Sequence, residues 1–240
     1  MAFKKISRNN LQIYQPKNGY CYNSDTLFLY DFCLRFLKKN HKVLEIGSGS
    51  GILGMLCVRD LEVDLVMIEK NPQMAEFSYR NLEANQIAAE VICEDFLIHN
   101  FLNLKFDCVI ANPPFYYQGV IKSQNSSISQ ARYEENLPFE LMVKKLNSLL
   151  KPRGEFIFCY DAKESYKVFE ILGRYKMRPV TLRYVYPRED KEATLLLCRI
   201  KKGSKSQTQV LSPLFTHQGE DFTQEVQRIY QKAKTQSIKC

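Results

Sequence analysis

Four consecutive residues combine a hydrogen-bonding side chain with a stiff backbone: Asn112, Pro113, Pro114 and Phe115. The asparagine offers a carboxamide oxygen, and the neighbouring proline carbonyl is a second acceptor. Two acceptors about 3 Å apart can bind both hydrogens of a planar –NH2 group and orient its lone pair toward an electrophile. The aromatic ring could stack on the flat ring that carries the amine. These residues predict an amine-binding site, although a proline-stiffened loop would show the same pattern.

The apolar run before this tetrapeptide predicts where it lies. Residues 106–111 (FDCVIA) have the length and composition of a buried strand. Two consecutive prolines end that strand, because neither has a backbone N–H to donate. In open α/β sheets, ligands bind at the carboxyl ends of the strands. We therefore expect the tetrapeptide at the ligand-binding edge of a sheet.

A glycine-rich turn follows an earlier predicted strand, residues 43–46. Gly47, Gly49 and Gly51 let the backbone approach a ligand closely. The helix predicted to start at residue 52 offers free N–H groups at its first turn. The segment also satisfies the GxGxxG fingerprint of dinucleotide-binding proteins, so the turn alone does not separate the two classes.

Polar groups also follow the next two predicted strands, 63–68 and 90–93. Glu69 ends the first, where an acid can accept hydrogen bonds from both ribose hydroxyls of a nucleoside. Asp95 and Phe96 follow the second and are candidates for an adenine amine and its ring. Asp25 begins the first predicted helix, where it either favours the helix dipole or contacts a ligand.

This arrangement resembles the class I S-adenosylmethionine (AdoMet)-dependent methyltransferases that methylate amines. The resemblance implies that the E/D-x-G-x-G-x-G motif, from Glu45 to Gly51 here, binds the methionine end of the cofactor. It implies that Glu69 binds the ribose, that Asp95 binds the adenine, and that the (D/N/S)PP(Y/F/W) motif at Asn112 holds the target amine.

A narrower resemblance is to the bacterial tRNA1(Val) adenine-N6 methyltransferases. It implies methyl transfer from AdoMet to the N6 amine of an adenine in tRNA, in the anticodon loop. It implies a partner, tRNA, and a substrate role for residues of the polar segment 116–136, namely Tyr116, Arg132 and Tyr133; a surface loop is the alternative. The stretches that carry the likeness are 17–29 (KNGYCYNSDTLFL), 112–119 (NPPFYYQG), 131–133 (ARY) and 210–230 (VLSPLFTHQGEDFTQEVQRIY).

Three other functions remain open on the sequence. A protein glutamine N5-methyltransferase would bind an equally planar –NH2, but such enzymes carry a helical domain before the glycine motif, and only about forty residues precede it here. An rRNA guanine N2-methyltransferase is the second alternative. A catalytically silent RNA-binding protein of the same fold is the third.

The order of predicted elements indicates an α/β fold, Rossmann-like, of the class I methyltransferase type. We expect a seven-stranded, mostly parallel sheet with an antiparallel last strand and helices on both faces. The predicted organisation is a basic N-terminal arm at 1–22, extended or a short hairpin, and the AdoMet-dependent domain at 23–200. A basic linker and a C-terminal helix, packed on the same domain, follow at 201–240.

The charge of the chain is unevenly distributed. Its net charge is +8, with +4 in residues 1–20, −5 in 21–117 and +9 in 118–240, which suits a small-molecule pocket framed by a polyanion-binding surface. Eight scattered cysteines without a CxxC pair indicate free thiols in a reducing cytoplasm, with no disulfide or structural metal. We see neither a signal peptide nor a transmembrane segment, and we expect a cytoplasmic monomer.

Overall fold

The computed structural model describes residues 10–18, 21–114 and 137–240. Thirteen strands and six helices fall within these ranges. The strands are β1 (Leu11–Gln15), β2 (Lys42–Ile46), β3 (Asp64–Glu69), β4 (Glu90–Cys93), β5 (Phe106–Ala111), β6 (Leu150–Asp161), β7 (Met177–Tyr186), β8 (Leu195–Lys202), β9 (Gln209–Val210), β10 (Leu214–Phe215), β11 (His217–Gln218), β12 (Asp221–Phe222) and β13 (Thr235–Lys239). The helices are α1 (Ser24–Cys33), α2 (Ile52–Leu61), α3 (Pro72–Ala84), α4 (Phe139–Leu149), α5 (Ser165–Arg174) and α6 (Gln224–Ala233).

The central sheet has the strand order β10-β7-β8-β6-β5-β2-β3-β4. Strands β2 to β6 pair in parallel, whereas β8 runs antiparallel to both β6 and β7. The predicted fold class is therefore confirmed, including the antiparallel last long strand. Within the described residues the sheet has nine strands rather than seven, because β9 and β10, of two residues each, add to β7.

The central strands are buried on both faces, so their side chains alternate between two cores. On β5, Cys108 and Ile110 join a core with α1 and α2, while Val109 and Ala111 join a second core with α4 and α5. Helices on both faces are thus confirmed. Val226, Ile229 and Ala233 of α6 belong to the first core. No helix within the described residues is long and apolar enough to cross a membrane.

Strand β1 pairs not with a neighbouring segment but with β13, at the far end of the chain. A short hairpin near the N-terminus is therefore a wrong expectation for residues 11–15. The other edge of β1 meets two asparagines of α3. Asn81 accepts from the Tyr14 amide (2.7 Å) and donates to its carbonyl (3.0 Å), and Asn85 does the same for Gln12 (2.9 and 2.8 Å).

The geometry of helix and strand explains this asparagine ladder, formed by Asn81 and Asn85. Four residues along a helix rise about 6 Å, close to the roughly 6.7 Å between alternate residues of a strand. A carboxamide carries the same donor and acceptor as a peptide group. The two side chains therefore act as a substitute strand. Asn81, fully buried, also donates to the Ser50 carbonyl (2.9 Å), which ties β1 to the glycine turn.

We expect Asn81→Ala to lower the free energy of unfolding by about 3 kcal/mol, because it leaves the partly buried N–H and C=O of Tyr14 and the buried C=O of Ser50 without partners. Asn85→Ala is the matched control. Its partner Gln12 is exposed and can bond to water, so the expected loss is about 1 kcal/mol. Urea unfolding measures both losses, and amide exchange at Tyr14 reports the release of β1. Equal losses in the two variants would contradict this account.

Candidate active site

The carboxyl ends of β2, β3, β4 and β5 open onto one cleft. Most of the residues predicted from the sequence line it, namely Glu45, Gly47, Gly49, Glu69, Asp95, Phe96, Asn112 and Pro114. Parallel strands place their carboxyl ends at one edge, so residues far apart in sequence meet there. Gly51, Pro113 and Asp25 are not among the described residues that line this cleft. Phe115, Tyr116, Arg132 and Tyr133 lie outside the described residues.

The glycine turn has the backbone conformation that glycine alone adopts readily. Gly47, Gly49 and Gly51 have φ angles of +65°, +57° and +79°. A Cβ atom at Gly47 would meet nothing within 4 Å, so the turn faces open space in the cleft. Between them, the buried Ser48 hydroxyl has no hydrogen-bond partner among the described residues. The turn therefore offers a ligand both room and an unused polar group.

Glu69 holds the glycine turn against the end of β3. Its Oε2 accepts from the Gly49 amide and its Oε1 from the Asn71 amide, both at 2.8 Å. Burial raises the pKa of Glu69, while the backbone N–H donors oppose that rise by favouring the carboxylate. Each carboxylate oxygen keeps acceptor capacity for a ligand hydroxyl.

Glu45 is more deeply buried, with 3% of its surface exposed. Its Oε2 accepts from the Gly54 amide (3.0 Å). A Cβ on Gly54 would collide with this oxygen and lie 2.6 Å from Leu65 Cδ2, so glycine is required where α2 crosses the sheet. Burial raises the pKa of Glu45 to about 8; the Gly54 N–H lowers it and the nearby Glu69 raises it further.

The raised pKa of Glu45 predicts a pH dependence of stability. The folded protein binds a proton at Glu45 between its ordinary value of 4.5 and about 8, whereas the unfolded chain has released it. The free energy of unfolding should therefore fall as the pH rises through this window, by up to about 1.4 kcal/mol per pH unit from this residue. Urea unfolding of wild type and Glu45→Gln between pH 5 and 8 isolates the contribution. Parallel curves for the two proteins would contradict it.

Asp95 and Phe96 lie side by side at the end of β4, with Lys70 facing the acid. The Lys70 ammonium is 2.8 Å from Asp95 Oδ2, and the Leu97 amide donates to Oδ1 at 2.8 Å. Burial opposes ionisation of Asp95, but Lys70 and the Leu97 amide outweigh it and lower its pKa. The Phe96 ring is buried, and the Lys145 ammonium lies 5.3 Å from its centre. This end of the cleft presents an ionised carboxylate beside an aromatic wall.

Asn112 lies at the end of β5, half-buried, with its carboxamide between two other elements. Its Nδ2 donates to Thr26 Oγ1 of α1 (3.2 Å), and its Oδ1 accepts from the Cys159 thiol of β6 (3.0 Å). Asp25, one residue before Thr26, is instead bonded to Asn23 Nδ2 (2.8 Å), and burial raises its pKa. The side chain that α1 turns toward Asn112 is therefore Thr26.

Four residues that the sequence analysis did not select lie beside or bond to the predicted site residues: Thr26, Ser48, Lys70 and Cys159. Ser48 lies inside the glycine motif, and Lys70 follows Glu69. Both could be predicted from the sequence because they are next to predicted site residues. Thr26 and Cys159 are separated from Asn112 by 86 and 47 residues, and only the fold brings them together. Among the described residues, no group of three or more His, Cys, Asp or Glu side chains is placed to hold a metal ion.

Solved structures of methyltransferases share this fold. A predicted O-methyltransferase from Agrobacterium tumefaciens is similar over 90% of this chain and 100% of its own, with a TM-score of 0.66 and 21% identity. A methyltransferase from Pyrococcus furiosus is similar over 75% of this chain and 83% of its own, with a TM-score of 0.54 and 16% identity. The fold is that of the class I methyltransferases.

The sequence comparison is more specific. Residues 27–178, more than half of the chain, match the model of the methyltransferase small domain, and the chain belongs to this family. The tRNA1(Val) (adenine(37)-N6)-methyltransferase of Bacteroides fragilis is 26% identical over 192 residues, which cover 77% of this chain and 80% of that protein. The protein of the same name from Aliivibrio salmonicida is 26% identical over 167 residues, 68% of this chain and 70% of its own.

The protein is therefore an AdoMet-dependent methyltransferase. The residues present fit this cofactor. The open glycine turn, the unpartnered Ser48 hydroxyl and the carboxylates of Glu69 and Asp95 supply space, a polar group and acceptors along one cleft.

Proposed function

We propose that this methyltransferase transfers the methyl group of AdoMet to the exocyclic N6 amine of an adenine in tRNA, in the anticodon loop. The observation that carries the proposal is the Asn112 carboxamide, which lines the cleft at the end of β5 on a backbone stiffened by two prolines. The names of the relatives from Bacteroides and Aliivibrio support adenine N6 in tRNA as the acceptor.

The cleft suggests how the cofactor would be held. The glycine turn with Ser48 and Glu45 would hold the methionine end, and Glu69 would accept hydrogen bonds from the ribose hydroxyls. Asp95 would accept from the adenine amine, with Phe96 against the ring. Because Lys70 and the Leu97 amide already occupy Asp95, the adenine would share this carboxylate with them.

The chain's part in the reaction is mainly orientation. Bound AdoMet supplies a methyl group activated by its sulfonium. Asn112 Oδ1 and the Pro113 carbonyl would accept the two hydrogens of the target amine and fix its lone pair, and Phe115 would stack on the adenine. No strong general base is needed if the amine loses its proton after the transfer. An unpaired anticodon-loop base leaves its stack at low cost, which favours such a target.

The flanking segments would bind the RNA backbone. We infer a basic arm at 1–22, a methyltransferase domain at 23–200, and a basic linker with a C-terminal helix, packed on the same domain, at 201–240. Arg132, Tyr133 and Tyr116 are candidates for phosphate or base contacts. Because such binding releases counterions from the RNA, the affinity for tRNA should fall steeply with salt.

A comparison of three acceptors tests the proposal. The enzyme would be incubated with labelled AdoMet and either unmodified total tRNA, small-subunit rRNA or a protein with an exposed glutamine, since each presents a planar –NH2. We expect label in tRNA well above the other two. Preferential labelling of rRNA or protein would move the substrate to one of the alternatives while keeping the amine chemistry.

A further inference from the structure

The Asn112 carboxamide is held from both sides by buried partners. Thr26 of α1 and Cys159 of β6 are 5% and 0% exposed, and each bonds one end of the amide. Three elements that are distant in sequence thus converge on one side chain. Such convergence fixes the rotation of the carboxamide as well as its position.

Thr26 and Cys159 differ in how strongly they determine which end of the Asn112 carboxamide carries the oxygen. A hydroxyl can donate or accept, so Thr26 would pair with either end of the amide. A thiol is a weak donor and a poor acceptor. Burial, with the charge of Asp25 adding to it, raises the pKa of the Cys159 thiol well above its usual value and keeps it protonated. Its hydrogen therefore favours the amide oxygen, and Cys159 decides which end faces which way.

The direction of the amide matters for an amine substrate. With the oxygen fixed by the thiol, one lone pair of Oδ1 is used, and among the described residues no other donor takes the second. With the amide turned by half a rotation, the Asn112 –NH2 would face the –NH2 of the substrate, donor against donor. Only the observed direction leaves an acceptor for the target amine.

We propose that Cys159 and Thr26 are positioning residues that hold the Asn112 carboxamide with its oxygen available to the target amine. This inference rests on the proposed function, since it concerns the same amine site. Both residues would act through Asn112: Cys159 is fully buried, and Thr26 bonds to the Asn112 amide nitrogen. They keep the carboxamide from rotating so that its –NH2 faces the substrate. The site is therefore preorganised before the substrate binds.

Cysteine variants test the inference, because kcat and the dissociation constant of AdoMet should respond differently. We expect Cys159→Ala to lower kcat about tenfold and to change the dissociation constant of AdoMet less than about twofold, because it frees the amide without touching the cofactor cleft. Cys159→Ser keeps a donor and should recover most of the turnover. Cys198→Ala removes an equally buried thiol of β8 that belongs to the other core of the sheet, and it should leave kcat unchanged. An unchanged kcat in Cys159→Ala, or equal losses in the serine and alanine variants, would overturn the inference.

Threonine variants and a double mutant give independent readouts. Thr26→Val should lower kcat several-fold, whereas Thr26→Ser should not, and equal turnover in both would remove Thr26 from the proposal. In single-turnover reactions of Asn112→Ala, adding Cys159→Ala should cost nothing further, because the side chain it positions is gone. A full additional loss would show that Cys159 acts by packing alone. If the acceptor proves to be rRNA or protein, the proposed function fails, but the same comparison on that acceptor still tests the positioning.

Discussion

Asn112→Ala should lower kcat for methyl transfer by about a thousandfold and leave the affinity for AdoMet within a few-fold of wild type. The variant removes the acceptor that we propose orients the amine, and loss of orientation alone can cost this much. Glu69 and the glycine turn, the proposed cofactor contacts, lie elsewhere in the cleft and are unchanged in this variant. Turnover is measured with labelled AdoMet and tRNA, and affinity is measured by calorimetry without RNA.

The matched control is Asn103→Ala, which removes an exposed asparagine between β4 and β5. Its turnover should equal that of wild type. Loss of AdoMet binding in Asn112→Ala in proportion to kcat would assign Asn112 to the cofactor and not to the amine. A kcat within tenfold of wild type would contradict its proposed role altogether.

Glu69→Ala should weaken AdoMet binding about a hundredfold. The variant removes the carboxylate that we propose accepts from two ribose hydroxyls, and hydrogen bonds to a charged group contribute about 1.5 to 3 kcal/mol each. It also frees the Gly49 amide, which loosens the turn that would hold the other end of the cofactor. Calorimetric titration with AdoMet measures the loss, and S-adenosylhomocysteine, the demethylated product with the same ribose, should show the same loss.

A ligand without the ribose 2′-hydroxyl separates the loss of ribose hydrogen bonds from the loosening of the glycine turn. Removal of the ribose 2′-hydroxyl should weaken binding to wild type about tenfold and have almost no effect on Glu69→Ala, because the acceptor is already missing. Glu76→Ala, an exposed acid of α3, is the control and should bind as wild type. If removal of the 2′-hydroxyl lowers the affinity equally in wild type and Glu69→Ala, Glu69 only supports the glycine turn and does not bind the ribose.

The parts of the site that lie within one strand and its following turn could be predicted from the sequence. Glu45, the glycines, Glu69, Asp95 and Asn112 each sit at the end of an apolar run, and parallel strands bring such ends together. The fold class followed from the same alternation of strands and helices, and the structure confirms it. Local pattern was sufficient because each of these residues is placed by its own strand.

Pairings between distant segments could not be predicted from local sequence patterns. The parallel pair of β1 and β13 joins the two ends of the chain, and its five-residue strands carry weak local signals. The same holds for Thr26 and Cys159, whose roles depend on α1 and β6 packing on either side of Asn112. Asp25 is conspicuous in the sequence as a charged residue at a helix start, whereas its neighbour Thr26 is the one that bonds to Asn112.

The most direct test of the central claim is nucleoside mass spectrometry of tRNA after reaction with the enzyme and isotope-labelled AdoMet. We expect labelled N6-methyladenosine with the wild-type enzyme and none with Asn112→Ala. Fragment mapping should then place it in the anticodon loop. Label on a ring nitrogen of adenine, on guanine, or equally in the wild-type and Asn112→Ala reactions would contradict amine positioning by Asn112.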